Sequence, residues 1–138
     1  MRRAREWPGV RAGASAWHPG AVNDLDDLIP AWLTLPDVAE RLDVEVSRVR
    51  RLIEDGQLVA LRRGEPVVRM VPELLLIEEG LIPHLPGTLT ILRDGGFSDE
   101  ELLAWLFTED ESLPGRPIDQ LRSGQRGEVR RRALALAL

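Results

Sequence analysis

The residues best suited to chemistry in this chain of 138 residues are four polar side chains in one short segment: Ser47, Arg48, Arg50 and Arg51. On a helical wheel, with about 100° per residue, the apolar residues form one side, and Ser47 and Arg51 lie nearly opposite them. Arginine can pair bidentately with the acceptor edge of guanine or clamp a phosphate, and serine can donate to either. The segment therefore predicts a helix that reads nucleic acid. The alternative is a solvated helix surface whose arginines pair with Glu54 and Asp55.

The element that must aim this helix lies just before it, from Thr34 to Leu42. Thr34 and Asp37 form the Thr-x-x-acid signature of a capped helix start, and the apolar residues that follow recur at helical spacing. This pattern stops at Asp43 and resumes in a different phase, and Asp tolerates the positive φ that a tight turn can require. Gly56 can end the second helix. Together the two segments predict a helix-turn-helix.

A β-hairpin is predicted after the second helix, with strands at Leu58–Leu61 and Val67–Val71 on either side of a charged Gly-Pro turn. Arg62 and Arg63 then lie at its tip, where they would reach a phosphate backbone or the adjacent groove. Arg69, in the second strand, would support the same contacts. This arrangement is typical of a wing, and the alternative is an edge hairpin that its charges keep soluble.

The segment resembles the winged helix-turn-helix of the excisionase and MerR class of DNA-binding domains. The residues that carry the resemblance are Val38-Ala39-Glu40-Arg41-Leu42, Val49-Arg50-Arg51-Leu52-Ile53 and Val71-Pro72. Two positions depart from that class, because Asp43 replaces the usual turn glycine and Glu45 replaces the usual capping serine. The second change puts a carboxylate near the expected position of DNA.

From Leu33 to its C-terminus, the chain also resembles a family of small DNA-binding proteins from mycobacteria and other actinobacteria. The carrying stretches are Leu35 to Gly56, Leu85 to Glu100, Trp105 to Phe107 and Ser112 to Asp119. The resemblance implies a winged-helix regulatory protein whose partner is double-stranded DNA. In that interpretation Ser47, Arg48 and Arg51 read or clamp the major groove, while Arg50, Arg62, Arg63 and Arg69 support contacts with phosphates.

The net charge of −5 is distributed unevenly along the chain. Residues 41–69 carry seven arginines and five acids, whereas residues 70–115 carry one arginine and ten acids. The acidic excess therefore lies outside the predicted DNA-facing segment and does not exclude DNA binding. It predicts a modest affinity that weakens steeply as the salt concentration rises.

Other classes of function find little support in the sequence. The chain has no cysteine, which excludes disulfides and thiolate metal sites and suits a reducing cytoplasm. Neither His18 nor His84 has a neighbour at metal-ligand spacing, and the acidic run 109–111 lacks a second catalytic group. We interpret this run as a solvated helix end or loop, and we predict no enzyme, no metal and no cofactor. The longest apolar run, Leu74 to Ile77, is too short for a membrane span.

The predicted fold class is mainly α, in three parts. Residues 1–20 are expected to form a flexible arm, residues 21–80 the winged helix-turn-helix, and residues 81–138 a helical region packed on it or tethered to it. Helices are predicted from Asn23 to Pro30, from Thr88 to Asp94 and from Glu128 to about Leu136, and a further helix is predicted to begin at Ser98. Trp32 and Leu33 are expected to pack under the first helix of the helix-turn-helix.

The C-terminal region supports an alternative function. Residues 115–124 resemble the C-terminal toxin-binding segment of some Xre-type antitoxins. The alternative is therefore an antitoxin-like protein–protein module that acts through the C-terminal helices, which could instead hold a homodimer. In either case we expect a cytoplasmic protein, and DNA binding would associate it with the nucleoid.

Overall fold

The computed structural model describes residues 25–110, 113 and 115–137, and the predicted arm at residues 1–20 lies outside them. The helices are α1 (Leu25–Leu28), α2 (Leu35–Leu42), α3 (Val46–Glu54), α4 (Leu85–Asp94), α5 (Asp99–Leu106), α6 (Pro117–Arg122) and α7 (Arg126–Ala137), with a 3₁₀ helix at Glu73–Leu75. The strands are β1 (Trp32–Thr34), β2 (Leu61–Arg63), β3 (Val68–Pro72), β4 (Leu76–Ile77) and β5 (Gly80–Leu81). The mainly α class is confirmed. No helix within the described ranges is long and apolar enough to cross a membrane.

The two helices of the helix-turn-helix meet at the tight turn that the sequence predicts. The Thr34 hydroxyl accepts a hydrogen bond from the Asp37 N–H at 3.2 Å, and the Asp37 carboxylate accepts one from the Thr34 N–H at 3.4 Å. This reciprocal pair is the predicted helix cap. Asp43 follows α2 with a φ of 57°, in the left-handed region, as predicted. Val49 and Leu52 then form the buried side of α3.

The wing belongs to a three-stranded antiparallel sheet with the strand order β1–β3–β2. The prediction of a first strand at Leu58–Leu61 is wrong, and β2 begins three residues later than predicted. The first two residues of the predicted strand are both fully buried, whereas a strand with one solvated side buries alternate residues. As a result Arg62 and Arg63 lie within β2 and not at the tip of the wing.

Strand β1 was not predicted. Trp32 pairs with Pro72, and Thr34 pairs with Met70. We expected Trp32 and Leu33 only to pack under α2, because a strand of three residues is too short to show a period of two. Since α2 follows β1 directly, this pairing places the start of the helix-turn-helix beside the wing.

The C-terminal half contains the two-stranded β4–β5 ribbon and the helices α4 to α7. Helix α4 begins at Leu85, three residues before the predicted start at Thr88. Pro86 in its first turn is compatible with this earlier start, because the missing N–H would have no acceptor within the helix. Ser98 and Glu101 form the predicted capping box of α5. Helix α7 packs along α4.

One continuous hydrophobic core joins the two halves, from Leu25 in α1 to Leu136 in α7. A polar contact also crosses between them. Arg122, at the end of α6, donates through Nη1 to the carbonyl oxygens of Leu74 at 2.7 Å and Leu76 at 2.5 Å. The C-terminal helices are therefore packed against the winged helix.

Candidate nucleic-acid interface

Helix α3 presents its polar side chains to solvent. All four predicted residues are exposed: Ser47, Arg48, Arg50 and Arg51. Within the described part of the chain, none of these three arginines forms an ion pair, and Glu54 and Asp55 neutralise none of them. A guanidinium group without an internal carboxylate partner remains available to bind an external anion.

An arginine from the C-terminal half holds the C-terminal end of α3. Gly56, two residues beyond the last residue of α3, has a φ of +77°, and Arg93 Nη1 donates to its carbonyl oxygen at 2.6 Å. Arg93 also bonds to Asp99, with 3.2 Å between Nε and Oδ1. A cation is favourable here because the C-terminal end of a helix carries partial negative charge. The sequence analysis missed Arg93 because its partner lies 37 residues away.

Ser47, Arg48 and Arg51 line one shallow depression of about 440 Å³ on α3. Glu45 contributes to the same lining. It occupies the N-cap position of α3, but its side chain makes no capping hydrogen bond. The structure therefore brings together the three predicted base-reading residues and adds one carboxylate that would repel a phosphate.

Arg50 and Arg69 come together in a groove of about 480 Å³ between α3 and the wing. Val46 and Val68 line the groove between them, and the first residues of α2 complete it. One cation from the helix and one from the wing therefore line a single groove.

Arg62 and Arg69 are directly opposite each other in the β2–β3 pair. Like charges in this position destabilise a sheet by about 0.2–1 kcal/mol. Neither guanidinium group has a carboxylate partner among the described residues. A phosphate bound by both arginines would remove the repulsion.

Arg63 is held inside the fold, unlike the other predicted arginines. Its guanidinium carbon lies 4.9 Å from the centroid of the Trp32 ring, at cation–π distance. It also forms an ion pair with Asp26, and its side chain is 25% exposed. Arg63 therefore ties β2 to β1 and α1, and in the described residues it is the one member of the predicted set with a carboxylate partner.

The acidic run does not form a second site. The prediction that it is solvated is wrong for Asp110, which is 4% exposed and has its Oδ2 3.8 Å from Arg132 Nε. Packing of α7 brings this cation from a distant part of the chain. Glu109 is exposed, and Glu111 lies outside the described residues. No cluster of three or more His, Cys, Asp or Glu side chains in the described ranges could hold a metal ion.

Comparisons with known proteins agree with this architecture. Residues 21–76 match the family model described as "DNA-binding protein Rv2175c, wHTH domain", and residues 82–137 match "Rv2175c C-terminal domain of unknown function". The chain is 40% identical over 147 residues to the DNA-binding protein Rv2175c of Mycobacterium tuberculosis (strain ATCC 25618 / H37Rv), and the match covers 94% of this chain and 99% of that protein. The NMR structure of Rv2175c superimposes with a TM-score of 0.71 at 40% identity, covering 78% of this chain and 82% of that chain.

These matches confirm the predicted resemblance to a mycobacterial-type family with a winged helix-turn-helix. The first matched segment contains α2, α3 and the three strands of the wing sheet. The second contains α4 to α7. Because both segments match and the similarity extends over nearly the whole chain, the chain belongs to the family of the DNA-binding protein Rv2175c.

Proposed function

We propose that this protein binds double-stranded DNA in a sequence-specific manner and regulates transcription, with α3 in the major groove and the wing on the backbone. The exposed surface of α3 carries the proposal, because its three arginines have no carboxylate partner within the described residues. The relative that covers nearly the whole chain is named a DNA-binding protein, which supports the same function here.

Base reading is assigned to Ser47, Arg48 and Arg51. They line the same depression, so they can reach the same few base pairs. An arginine that pairs bidentately with guanine O6 and N7 contributes about 1–3 kcal/mol of discrimination against other bases. Glu45, which also lines this depression, can accept a hydrogen bond from the cytosine amino group, and its negative charge repels nearby phosphates.

Contacts with the DNA backbone are assigned to Arg50, Arg62 and Arg69. Each phosphate that they neutralise releases counterions, so affinity should fall as the salt concentration rises. Arg63 belongs to the same basic surface, but its guanidinium group is bound to Trp32 and Asp26. We therefore assign it to holding the wing in place. This function requires neither catalysis nor a cofactor, and it would place the protein at the nucleoid in the cytoplasm.

The test begins with selection of binding sites from random duplexes at two salt concentrations. The selected duplex is then titrated with the full-length protein and with the variants Arg51→Ala and Arg131→Ala. Arg131 is exposed on α7, where it pairs with Glu128. Removing Arg131 therefore changes the net charge by the same amount as removing Arg51, but it leaves α3 unaltered.

We expect Arg51→Ala to weaken binding to the selected duplex by about 1–3 kcal/mol and to relax specificity at one position. Arg62→Ala should weaken binding to all duplexes similarly and lower the salt slope by about one. Arg131→Ala should bind as the unmodified protein does. Equal effects of Arg51→Ala and Arg131→Ala, or no binding in dilute buffer, would contradict the proposal.

A further inference from the structure

Helices α4 and α7 pack in parallel, so their N-terminal ends open on one cavity. At these ends Arg126 Nη1 lies 2.9 Å from His84 Nδ1. At the other ends a Cβ atom on Gly95 would lie 2.6 Å from the Cα atom of Ala137. The cavity between the N-terminal ends, called here the α4–α7 cavity, has a volume of about 560 Å³ and is lined by His84, Pro86, Gly87, Thr88, Arg126 and Arg130.

Two helix N-termini give this cavity a positive potential. Helix α4 has 10 residues and α7 has 12, so each is long enough for its backbone dipoles to add. The Gly87 N–H lies in the first turn of α4 and donates to no acceptor among the described residues. A Cβ atom at Gly87 would meet no atom within 4 Å, so this backbone is open to the cavity.

Thr88 supplies an independent indication of a ligand. It is 4% exposed and lines the cavity, yet its hydroxyl group forms no hydrogen bond with any described residue. Two other threonines satisfy their hydroxyl groups with a carbonyl four residues earlier, because Thr90 Oγ1 donates to the Pro86 carbonyl at 3.0 Å and Thr108 Oγ1 to the Ala104 carbonyl at 2.6 Å. A buried hydroxyl group without a partner is unfavourable by about 1–3 kcal/mol. A ligand in the cavity would provide the missing partner.

The arginines of α7 divide according to their partners. Arg131 pairs with Glu128, and Arg132 approaches Asp110. The other two, Arg126 and Arg130, line the cavity and have no carboxylate partner in the described ranges. Two guanidinium groups one helical turn apart can donate together to one anion.

We propose that the α4–α7 cavity binds a small molecule through a phosphate monoester group. The Gly87 N–H, the Thr88 hydroxyl group and the guanidinium groups of Arg126 and Arg130 would donate to its oxygen atoms. Phosphate suits this set because it offers several strong acceptor atoms and negative charge at helix N-termini. The volume also leaves room for an organic group beside the phosphate. This proposal concerns the C-terminal half and does not depend on DNA binding.

The test uses the ¹⁵N-labelled full-length protein, with the amide signals of Gly87 and Thr88 as reporters. Inorganic phosphate and adenosine monophosphate are titrated separately, with sodium chloride adjusted to keep the ionic strength constant. We expect saturable shifts of both amides with both probes. Arg130→Ala and Thr88→Val should each weaken binding about tenfold, since each removes a hydrogen bond to a charged group. Arg131→Ala is the matched control and should change the affinity for the probes less than twofold.

Three outcomes would overturn the proposal. The first is an absence of saturation with both probes. The second is equal weakening by Arg130→Ala and Arg131→Ala, which would show a diffuse charge effect. The third is a shift of both amides by a short DNA duplex while inorganic phosphate and adenosine monophosphate leave them unchanged. A variant that combines Arg48→Ala and Arg51→Ala should keep the phosphate response, so failure of the DNA proposal can be distinguished from failure of this one.

Discussion

The winged helix and the C-terminal half use arginine for different purposes. On α3 and β2 the side chains of Arg48, Arg51 and Arg62 are exposed and have no carboxylate partner among the described residues. In the C-terminal half, Arg122 donates to two backbone carbonyl groups, and Arg116 bonds to Asp119 through Nε and Nη2, each at 2.8 Å. The partner within reach, and not the residue type, decides whether an arginine stabilises the fold or remains available to a ligand.

The exceptions in each region support the same rule. Arg63 in the winged helix has internal partners, and we assign it to structure. Arg126 and Arg130 in the C-terminal half have no carboxylate partner in the described residues, and they line the α4–α7 cavity. An arginine without a carboxylate partner is therefore a better guide to a candidate site than the net charge of a region, which is most acidic over residues 70–115.

The largest predicted effect is that of Arg122→Ala. This change removes two charge-assisted hydrogen bonds and leaves the carbonyl groups of Leu74 and Leu76 without these donors. We expect the free energy of unfolding to fall by about 2–4 kcal/mol. Chemical denaturation of the full-length protein measures it. Arg62→Ala, on the exposed wing, is the control and should not lower it by more than about 0.5 kcal/mol, because the change also removes the repulsion from Arg69. Similar losses in both variants would break the distinction between the two regions.

An intermediate effect is predicted for Glu45→Ser. The change removes a carboxylate beside Arg48 and Arg51 and introduces a preferred N-cap residue for α3. We expect tighter binding to the selected duplex, by about 0.5–1 kcal/mol at low salt, with a smaller gain at high salt. Glu78→Ser, on the exposed part of the β4–β5 ribbon, makes the same change in net charge and should have no such effect. Unchanged or weaker DNA binding by Glu45→Ser would argue against a DNA-facing position for Glu45.

The smallest effect is predicted for the ion pair of the C-terminal half. The hydrogen bond from Arg116 lowers the pKa of the Asp119 carboxyl group below its ordinary value, which is about 3.9 in an unfolded chain. The pair therefore stabilises the fold fully above about pH 4, and this contribution disappears as the pH falls through the lower pKa of the folded state. Because Asp119 is 43% exposed, solvent screening limits the effect to about 1 kcal/mol or less.

Urea denaturation at several pH values tests this prediction. Asp119→Asn should be less stable than the unmodified protein at pH 7, and the difference should shrink at pH values well below 4. Asp94→Asn, at an exposed position near the end of α4, provides a comparison. A constant difference between Asp119→Asn and the unmodified protein at every pH would show that the charge of Asp119 is not the cause.

Several features of the winged helix follow directly from local sequence. The Thr34 capping box, the left-handed Asp43 and the buried side of α3 were all predicted and are all observed. The capping box of Ser98 in α5 belongs to the same group. Each depends on residues that are neighbours or lie three or four positions apart, so a single helical turn contains the whole physical cause.

The features that sequence analysis missed depend on distant residues. Strand β1 exists because it pairs with β3, Arg93 donates to the Gly56 carbonyl just beyond α3, and Asp110 is buried against Arg132. No local pattern indicates these partners. The predicted set of wing arginines was also divided by tertiary contacts, since Arg63 turns to Trp32 and Asp26 while Arg62 remains exposed.

The order of the residues alone determined most of the helical segments, the capped starts of α2 and α5 and which sides of α2 and α3 are apolar, because short-range hydrogen bonds and side-chain spacing set these properties. Only the tertiary structure decided which arginines have partners, how the wing sheet is completed and where two helix N-termini meet. A charged side chain acquires its role from the groups that surround it in space, and these groups come from every part of the chain.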